Sequence, residues 1–198
     1  MLKIKQLPIN TTHISGPVLL LILTVFCYFF NENFSQYFVY NRPLIIEHQY
    51  WRLITAHIFH TNYAHLLLNA LAVILLWLIH GHYYSLFQYL SLTLISALII
   101  SISIFIFDPE MLQYVGLSGV LHALFVWGAL KDITAKEKTG YLLLIGVIVK
   151  IAHEQFFGAS EDIASLINAS VAINAHLSGA LVGLGYYFIP KIGKKFIH

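Results

Sequence analysis

The chain has 198 residues, of which 59% are hydrophobic and 10% are charged, and its formal net charge is +2. Soluble domains carry about 25% charged residues, so this composition excludes a disordered chain, a basic nucleic-acid-binding surface and a soluble enzyme. The single cysteine, Cys27, excludes an intrachain disulfide and a thiolate metal cluster. Eleven histidines are unusual in so apolar a chain. We therefore expect a membrane protein with polar groups in its interior.

Apolar stretches near the length that a bilayer requires, about 17–25 residues, predict an all-α membrane protein with six transmembrane helices in one domain over residues 1–198. The first stretch follows Lys3 and Lys5 as a signal peptide would, but no small-residue cleavage site comes after it, so we expect it to be retained. The last is expected to end at Pro190. The six predicted helices cover about residues 16–30, 65–84, 86–107, 117–130, 141–157 and 171–189.

Basic residues between these helices predict the orientation of the chain. With a cytoplasmic N-terminus, eight lysines face the cytoplasm, and only Arg42 and Arg52 lie outside. Cytoplasmic loops are enriched in Lys and Arg, so both termini are expected in the cytoplasm. Arg52 and Trp51 are expected to anchor the long outer connection at the membrane interface. The eight lysines are Lys3, Lys5, Lys131, Lys136, Lys138, Lys191, Lys194 and Lys195.

Polar side chains inside a membrane are costly and indicate functional sites. The second predicted helix begins with His65 and Asn69, whose i, i+4 spacing places them on one face. The fourth begins near Ser118, which lies between Gly116 and Gly119. Each of these helices therefore brings polar groups to its first turn.

The sixth predicted helix carries His176 just before a Gly-x-x-x-Gly pair, Gly179 and Gly183. Such a pair lets another helix approach closely. At about 1.5 Å per residue, Ser118 and His176 both lie about 20 Å from the cytoplasmic boundary. The second, fourth and sixth helices run in the same direction in this topology. Their polar groups are therefore predicted to share the outer half of the membrane.

This arrangement of polar groups predicts acyl-transfer chemistry. A serine hydroxyl becomes an effective nucleophile when a neutral histidine takes its proton, and Ser118 and His176 form this pair if their helices touch. We expect no carboxylate at their depth, and therefore a dyad rather than a triad. The backbone N–H of Ser118, the amide of Asn69 and the ring of His65 are the predicted oxyanion donors. Residues 108–116 are expected to enter the membrane as non-helical chain beside a water-filled cavity.

Other polar residues leave alternatives open. His57, His60 and His65 could form a metal site, but no cysteine or acidic partner lies near them in sequence, and no cofactor is expected. His80 is expected to be solvated at the turn after the second helix. The polar residues could also serve helix packing alone.

The fifth predicted helix contains Lys150, His153 and Glu154. Lys150 and Glu154 are spaced i, i+4 and are predicted to neutralise each other. A role for this group in recognising a polar part of the substrate stays open.

The chain resembles the six-helix bacterial rhomboid intramembrane serine proteases. The resemblance implies that Ser118 is the nucleophile, that His176 is the general base, and that His65 and Asn69 lie at the oxyanion hole. It also implies transmembrane-anchored protein substrates and a location in the bacterial inner membrane, with the active site open to the periplasm. The matching motifs are Trp51-Arg52, His65-x-x-x-Asn69, Gly116-Leu117-Ser118-Gly119 and Ala175-His176-x-x-Gly179.

One position resembles a particular branch, the rhombosortases. Four residues after the serine, where rhomboids usually have a tyrosine packed on the catalytic histidine, this chain has His122. The resemblance implies secreted substrates with a C-terminal Gly-Gly sorting tail, whose acyl group passes to water or to a lipid-derived amine. Together with His122, three glycines, Gly116, Gly119 and Gly179, are expected to support the site. The alternatives are a general rhomboid protease and a non-catalytic rhomboid-like protein that binds membrane helices.

Overall fold

The computed structural model describes residues 7–195, so Lys3 and Lys5 lie outside the described residues. The chain is mostly helical, with one two-stranded antiparallel sheet formed by β1 (Tyr40–Asn41) and β2 (Gln113–Tyr114) and short 3-10 turns at Ala56–Ile58 and Gly81–Tyr83. The helices are α1 (Thr11–Phe29), α2 (Asn31–Phe38), α3 (Arg42–Ile46), α4 (Arg52–Thr55), α5 (Tyr63–His80), α6 (Leu86–Phe107), α7 (Ser118–Thr134), α8 (Thr139–Phe157), α9 (Glu161–Ile167) and α10 (Ile173–Lys195).

Among the described residues, four helical segments are long and apolar enough to cross a membrane, and they correspond to the first, second, third and fifth predicted helices. The fourth and sixth predicted helices are α7 and α10. α7 has only 17 residues and carries Lys131 and Asp132 near its end, and α10 contains His176, several glycines and, near its end, lysines. The four segments are Thr11–Phe29, Tyr63–Tyr83, Leu86–Phe107 and Thr139–Phe157.

The predicted helix ends that differ most from the structure are the start of the first helix and the end of the last. The first helix begins at Thr11 rather than at residue 16, because the side chain of Asn10 accepts a hydrogen bond from the backbone of Thr12 and caps the helix. The last helix continues through Pro190 to Lys195. A proline removes one backbone hydrogen bond and bends a helix without always ending it, and α1 likewise contains Pro17.

The central helix is α7, whose residues Val120, Ala123 and Leu124 are fully buried. Two contacts show that it runs parallel to α10. A Cβ added at Gly179 would overlap the carbonyl oxygen of Gly119, and a Cβ added at Gly183 would overlap the carbonyl oxygen of Ala123. The contact thus advances by four residues along both helices. Glycine at these positions lets the two backbones touch.

The direction of the other helices follows from similar contacts. α5 is parallel to α7, because Gly116 lies against His65 and Gly128 lies against His80. α6 is antiparallel to α10, because Ser103 bonds Ser178 at 2.7 Å and Ser91 bonds Tyr186 at 2.6 Å. Three parallel helices, α5, α7 and α10, therefore begin at the same end of the bundle.

The connection before α5 is held together by Arg52, which is only 2% exposed. Its guanidinium donates to the carbonyl oxygens of Gln36 and Val39 at 2.9 and 2.8 Å. Arg52 therefore anchors this connection through bonds within the loop, and its location at the membrane interface stays a prediction. Trp51 is half exposed and donates to the carbonyl of Tyr37 at 2.9 Å.

The opposite end of the bundle also differs from expectation. His80 is 0% exposed, and its Nε2 lies 3.2 Å from a carboxylate oxygen of Asp132. The glycine at position 128 leaves room for the His80 ring, which a Cβ there would overlap. The prediction of a solvated His80 is therefore wrong, since helix packing encloses the ring beside a carboxylate.

Candidate active site

Ser118 is the first residue of α7 and follows a turn that requires glycine. Gly116 has a φ of 121°, which side chains rarely permit. A Cβ at this position would also lie 2.7 Å from the Cε1 and Nε2 atoms of His65. Gly116 therefore lets the non-helical segment from residue 108 turn into α7 while the His65 ring lies against it.

The structure brings Ser118 and His176 together, with 3.0 Å between the serine Oγ and the histidine Nε2. This contact depends on the close approach of α7 and α10. A Cβ at Gly119 would lie 2.9 Å from the carbonyl oxygen of Ala175, the residue before the histidine. Gly119 and Gly179 thus hold the two helices at the separation that the serine–histidine contact needs.

A cavity of ≈ 360 Å³ opens beside Ser118. His65 and His60 line one part of it, β2 another, and the chain from Ala169 to Ala172 a third. Ser118 therefore lies in the wall of this cavity.

The short helix α9, which the sequence analysis missed, covers this cavity. Thr61 Oγ1 donates to the carbonyl of Ile167, and Asn62 Nδ2 donates to the carbonyl of Leu166 at 2.9 Å. A capping signal was present in the sequence: Ser160 caps α9, and Glu161 begins its first turn. Both residue types favour a helix N-terminus.

The two predicted oxyanion donors on α5 differ in position. His65 lines the cavity, and its Nδ1 lies 3.1 Å from Thr61 Oγ1. Asn69 is buried, and its amide donates to the carbonyl of His65 at 3.1 Å. Because one N–H of the Asn69 amide is used in this bond, only the second is left for an oxyanion. Asn69 is not among the described residues that line the cavity.

His122 stacks on the catalytic candidate His176, with 4.3 Å between ring centroids and 20° between planes. Its Nδ1 lies 2.7 Å from the carbonyl oxygen of Ser118. The ring thus occupies the place expected for the tyrosine of other rhomboids. It also bonds the backbone of the nucleophile candidate, which a purely packing ring would not do.

The prediction that no carboxylate lies at this depth is wrong. Glu154 Oε2 lies 2.9 Å from His176 Nδ1, and the Glu154 side chain is 12% exposed. Lys150 Nζ lies 2.9 Å from Glu154 Oε1 and 2.9 Å from His122 Nε2. α8 runs antiparallel to α7, so the last turns of α8 lie at the level where α7 begins. The i, i+4 spacing of Lys150 and Glu154 predicted their ion pair. It did not show that the pair faces His176 on α10.

The described residues contain no group of three or more His, Cys, Asp or Glu side chains that could hold a metal ion. His57 instead contacts Ser101, with 3.0 Å between Nε2 and Oγ. His60 meets His65 ring edge to ring face, with centroids 5.0 Å apart. Burial lowers the pKa of His60 to about 3, so this ring is neutral. His57 and His65 therefore bond the hydroxyl groups of Ser101 and Thr61, and His60 packs on His65.

A family model described as the rhomboid domain matches residues 47–191. The chain belongs to the rhomboid family. Members of this family are serine intramembrane proteases that act on transmembrane substrates. A search of curated proteins found no match. The chain is thus a membrane protein, and it is a rhomboid intramembrane protease or a homologue of one.

The arrangement in this rhomboid can support acyl transfer. A hydroxyl lies beside an imidazole nitrogen, a carboxylate lies beside the other nitrogen, and a cavity reaches the hydroxyl. The first N–H groups of a helix lack intrahelical acceptors. The first N–H of α7 belongs to Ser118 itself, so donors for an oxyanion lie next to the nucleophile candidate.

Proposed function

We propose that this rhomboid is an intramembrane serine endopeptidase in which Ser118 is the nucleophile and His176 is the general base. The observation that carries the proposal is the 3.0 Å contact between Ser118 Oγ and His176 Nε2. Supporting it, the serine also lines a cavity large enough for a peptide segment. A base within hydrogen-bond reach is what a weak serine nucleophile requires.

In the first half of the reaction, Ser118 Oγ attacks the substrate carbonyl carbon while its proton passes to His176 Nε2. Negative charge collects on the carbonyl oxygen, where the backbone N–H of Ser118 and the N-terminal end of the α7 dipole stabilise it. His65 and the second N–H of the Asn69 amide are the further proposed donors. His176 then gives its proton to the leaving nitrogen as the C–N bond breaks.

In the second half, water or an amine attacks the ester carbonyl on Ser118, and His176 takes the proton of the attacking group. The C–O bond to Ser118 breaks, and His176 returns the proton to the serine oxygen. Both attacking groups obey the same proton balance. The mechanism is therefore the same for water and for an amine acceptor.

The proposed topology has six spans in one domain, formed by α1, α5, α6, α7, α8 and α10, with both termini in the cytoplasm of a bacterium. It is supported by charge: Lys131, Lys136 and Lys138 lie in or between α7 and α8 at the end far from Ser118. Basic residues favour the cytoplasmic side. The Ser118 cavity would then open toward the periplasm.

The proposed substrates are secreted proteins with a C-terminal Gly-Gly motif, a hydrophobic helix and basic residues, as in the rhombosortase branch. The stacking of His122 on His176 supports this branch, because it places an imidazole where other rhomboids have tyrosine. Removal of the hydrophobic tail would release the protein, or would transfer it to a lipid-derived amine.

The test is mass spectrometry of a tail-bearing secreted protein co-expressed with this rhomboid. We expect a new C-terminus near the Gly-Gly motif with the parent protein and none with Ser118→Ala. The control is Ser165→Ala, which removes a hydroxyl from an exposed position on α9 and should still produce the new C-terminus. A mass increment at that C-terminus identifies an amine acceptor, and its absence identifies water.

Three other outcomes would change the proposal. Unaltered cleavage by Ser118→Ala would remove the serine mechanism. Labelling by a fluorophosphonate that depends on both Ser118 and His176, with cleavage only of substrates that lack the Gly-Gly motif, would leave a general rhomboid protease. Absence of labelling and of cleavage in a folded protein would favour the non-catalytic binding protein.

A further inference from the structure

The ring nitrogen of His176 that faces away from Ser118 has two competing neighbours. Its Nδ1 lies 2.9 Å from Glu154 Oε2 and 3.1 Å from Lys150 Nζ. A carboxylate accepts hydrogen bonds, whereas an ammonium only donates them. The Nδ1 atom must therefore carry a proton to bond Glu154, and must lack one to bond Lys150.

Only one of these two states fits the proposed reaction. If Nδ1 carries the proton, the Nε2 of neutral His176 has a free lone pair and can accept the Ser118 proton. If Lys150 donates to Nδ1, the proton lies on Nε2 and the base is blocked. Glu154 thus favours the working form of the imidazole, and Lys150 opposes it.

The remaining contacts account for all three Lys150 protons. Lys150 Nζ lies 2.9 Å from both Glu154 oxygens and 2.9 Å from His122 Nε2. His122 then accepts at Nε2 and carries its proton at Nδ1, from which it donates to the Ser118 carbonyl at 2.7 Å. With the ammonium fully used in this way, the Nδ1–H of His176 is left to donate to Glu154.

Burial gives this network its strength. The side chains of His176 and Glu154 are 6% and 12% exposed, while that of Lys150 is 43% exposed. A charge that water does not reach interacts strongly with its neighbours. A lone carboxylate at this depth of a membrane protein would be costly, so Lys150 keeps it ionised.

We propose, on the basis of the proposed serine mechanism, that Glu154 is the third member of a Ser118–His176–Glu154 triad and that Lys150 is its counter-ion. Glu154 is a positioning residue, since it acts through His176. It fixes the proton on Nδ1 and stabilises the imidazolium that forms when Ser118 attacks. Lys150 and His122 complete a network that connects α8 to the first turn of α7.

The test uses Glu154→Gln, Lys150→Met and the double variant in the full-length protein, assayed for kcat and KM on the tail-bearing substrate. Glu47→Gln is the matched control, because it makes the same chemical change at an exposed position at the end of α3, outside the candidate site. We expect kcat of Glu154→Gln to fall about 100-fold or more, as the wrong tautomer causes in serine proteases, with KM unchanged. The control is expected to keep the parent kcat.

The double variant separates a positioning role from a structural one. In Glu154→Gln the Lys150 ammonium remains beside the imidazole without its partner and opposes its protonation. Removing it with Lys150→Met is expected to raise kcat about tenfold above Glu154→Gln, although still below the parent protein. A merely structural role predicts that the second substitution lowers kcat further or leaves it unchanged.

The following results would overturn the triad. One is a folded Glu154→Gln protein with kcat within about threefold of the parent. Another is a double variant no faster than Glu154→Gln. If Glu154→Gln does not fold, the double variant is the test, because it has no unpaired charge. A double variant with the same kcat as the parent protein would contradict the triad. Activity in Ser118→Ala would instead remove the serine mechanism itself, so the two failures are distinguishable.

Discussion

The two ends of the helix bundle each hold a buried histidine against a carboxylate, with different surroundings. At one end, His176 contacts Glu154 at 2.9 Å, has Ser118 on its other nitrogen, and lies beside a cavity that the serine lines. At the opposite end, His80 contacts Asp132 at 3.2 Å and is 0% exposed. Both rings depend on glycines that make room between helices.

The difference shows that a buried histidine–carboxylate pair does not by itself make an active site. Asp132 also accepts a hydrogen bond from Tyr83 at 2.8 Å, which connects the turn after α5 to α7. The His80 pair thus joins elements of the fold. The His176 pair adds a nucleophile candidate, a cavity and a lysine counter-ion, and these additions mark the candidate site.

Replacing each histidine by asparagine should give opposite results. His176→Asn is expected to lower kcat by about 10⁴-fold or more, because the base is lost. Its effect on thermal stability should be smaller than that of His80→Asn, because Glu154 keeps its ion pair with Lys150. His80→Asn leaves Asp132 without its histidine, and leaving a buried polar group without its hydrogen-bond partner costs about 1–3 kcal/mol. We expect it to lower stability while the folded fraction keeps its kcat.

The measurements are kcat per mole of folded protein and the thermal unfolding temperature of the purified protein in detergent. A His80→Asn protein that is fully stable but inactive would show that both pairs serve the reaction. A destabilised but active His176→Asn would reverse the assignment of the two ends.

Glycine substitutions in α10 test the helix contact that positions His176. Gly179→Ala places a Cβ on the carbonyl oxygen of Gly119, where only backbone can move. Overpacking costs about 1–3 kcal/mol or more, so we expect lower stability and at least about tenfold lower kcat. Gly185→Ala is the matched control, because nothing lies within 4 Å of a Cβ there.

Both variants can be compared by thermal unfolding and by the rate of fluorophosphonate labelling. Gly185→Ala is expected to match or slightly exceed the parent stability, since alanine favours a helix over glycine. Equal behaviour of the two variants would contradict the close contact of α7 with α10.

The sequence was sufficient to predict the main helices and the meeting of Ser118 with His176. Hydrophobic length located the helices, and the Gly-x-x-x-Gly spacing predicted the close contact of two of them. The sequence did not reveal the rotation of α8 about its axis. That rotation decides whether Glu154 faces lipid, substrate or His176, and it is set by packing along the whole helix.

The ends of elements and the buried His80 were missed for a related reason. Sequence patterns predict from local preference that a helix ends at a proline and that a polar residue at a helix end is exposed. Tertiary packing decides whether the helix ends there and whether the side chain is buried. Gly128 makes room for His80 from another helix, 48 residues away in the chain. Local patterns contain no direct signal for such a contact.

The rings that pack on the two histidines give the smallest expected effect. His122 stacks on His176 with centroids 4.3 Å apart, whereas Phe125 lies 6.3 Å from His80 and offers no polar atom. His122→Tyr keeps an aromatic ring but loses the imidazole Nε2 that accepts from Lys150 at 2.9 Å. A hydrogen bond to a charged group contributes about 1.5–3 kcal/mol, so we expect kcat to fall roughly tenfold.

His122→Ala loses both the stacking and the acceptor, and it should be slower than His122→Tyr. Phe125→Leu, the control at the other histidine, should leave kcat unchanged. Equal kcat for His122→Tyr and the parent would show that position 122 only packs, and that the third Lys150 proton has no part in orienting His176. A tyrosine variant slower than the alanine variant would mean that the size of the ring at position 122 matters more than its polar contact. The close stacking of the two imidazole rings, with 20° between their planes, leaves little room for a larger ring.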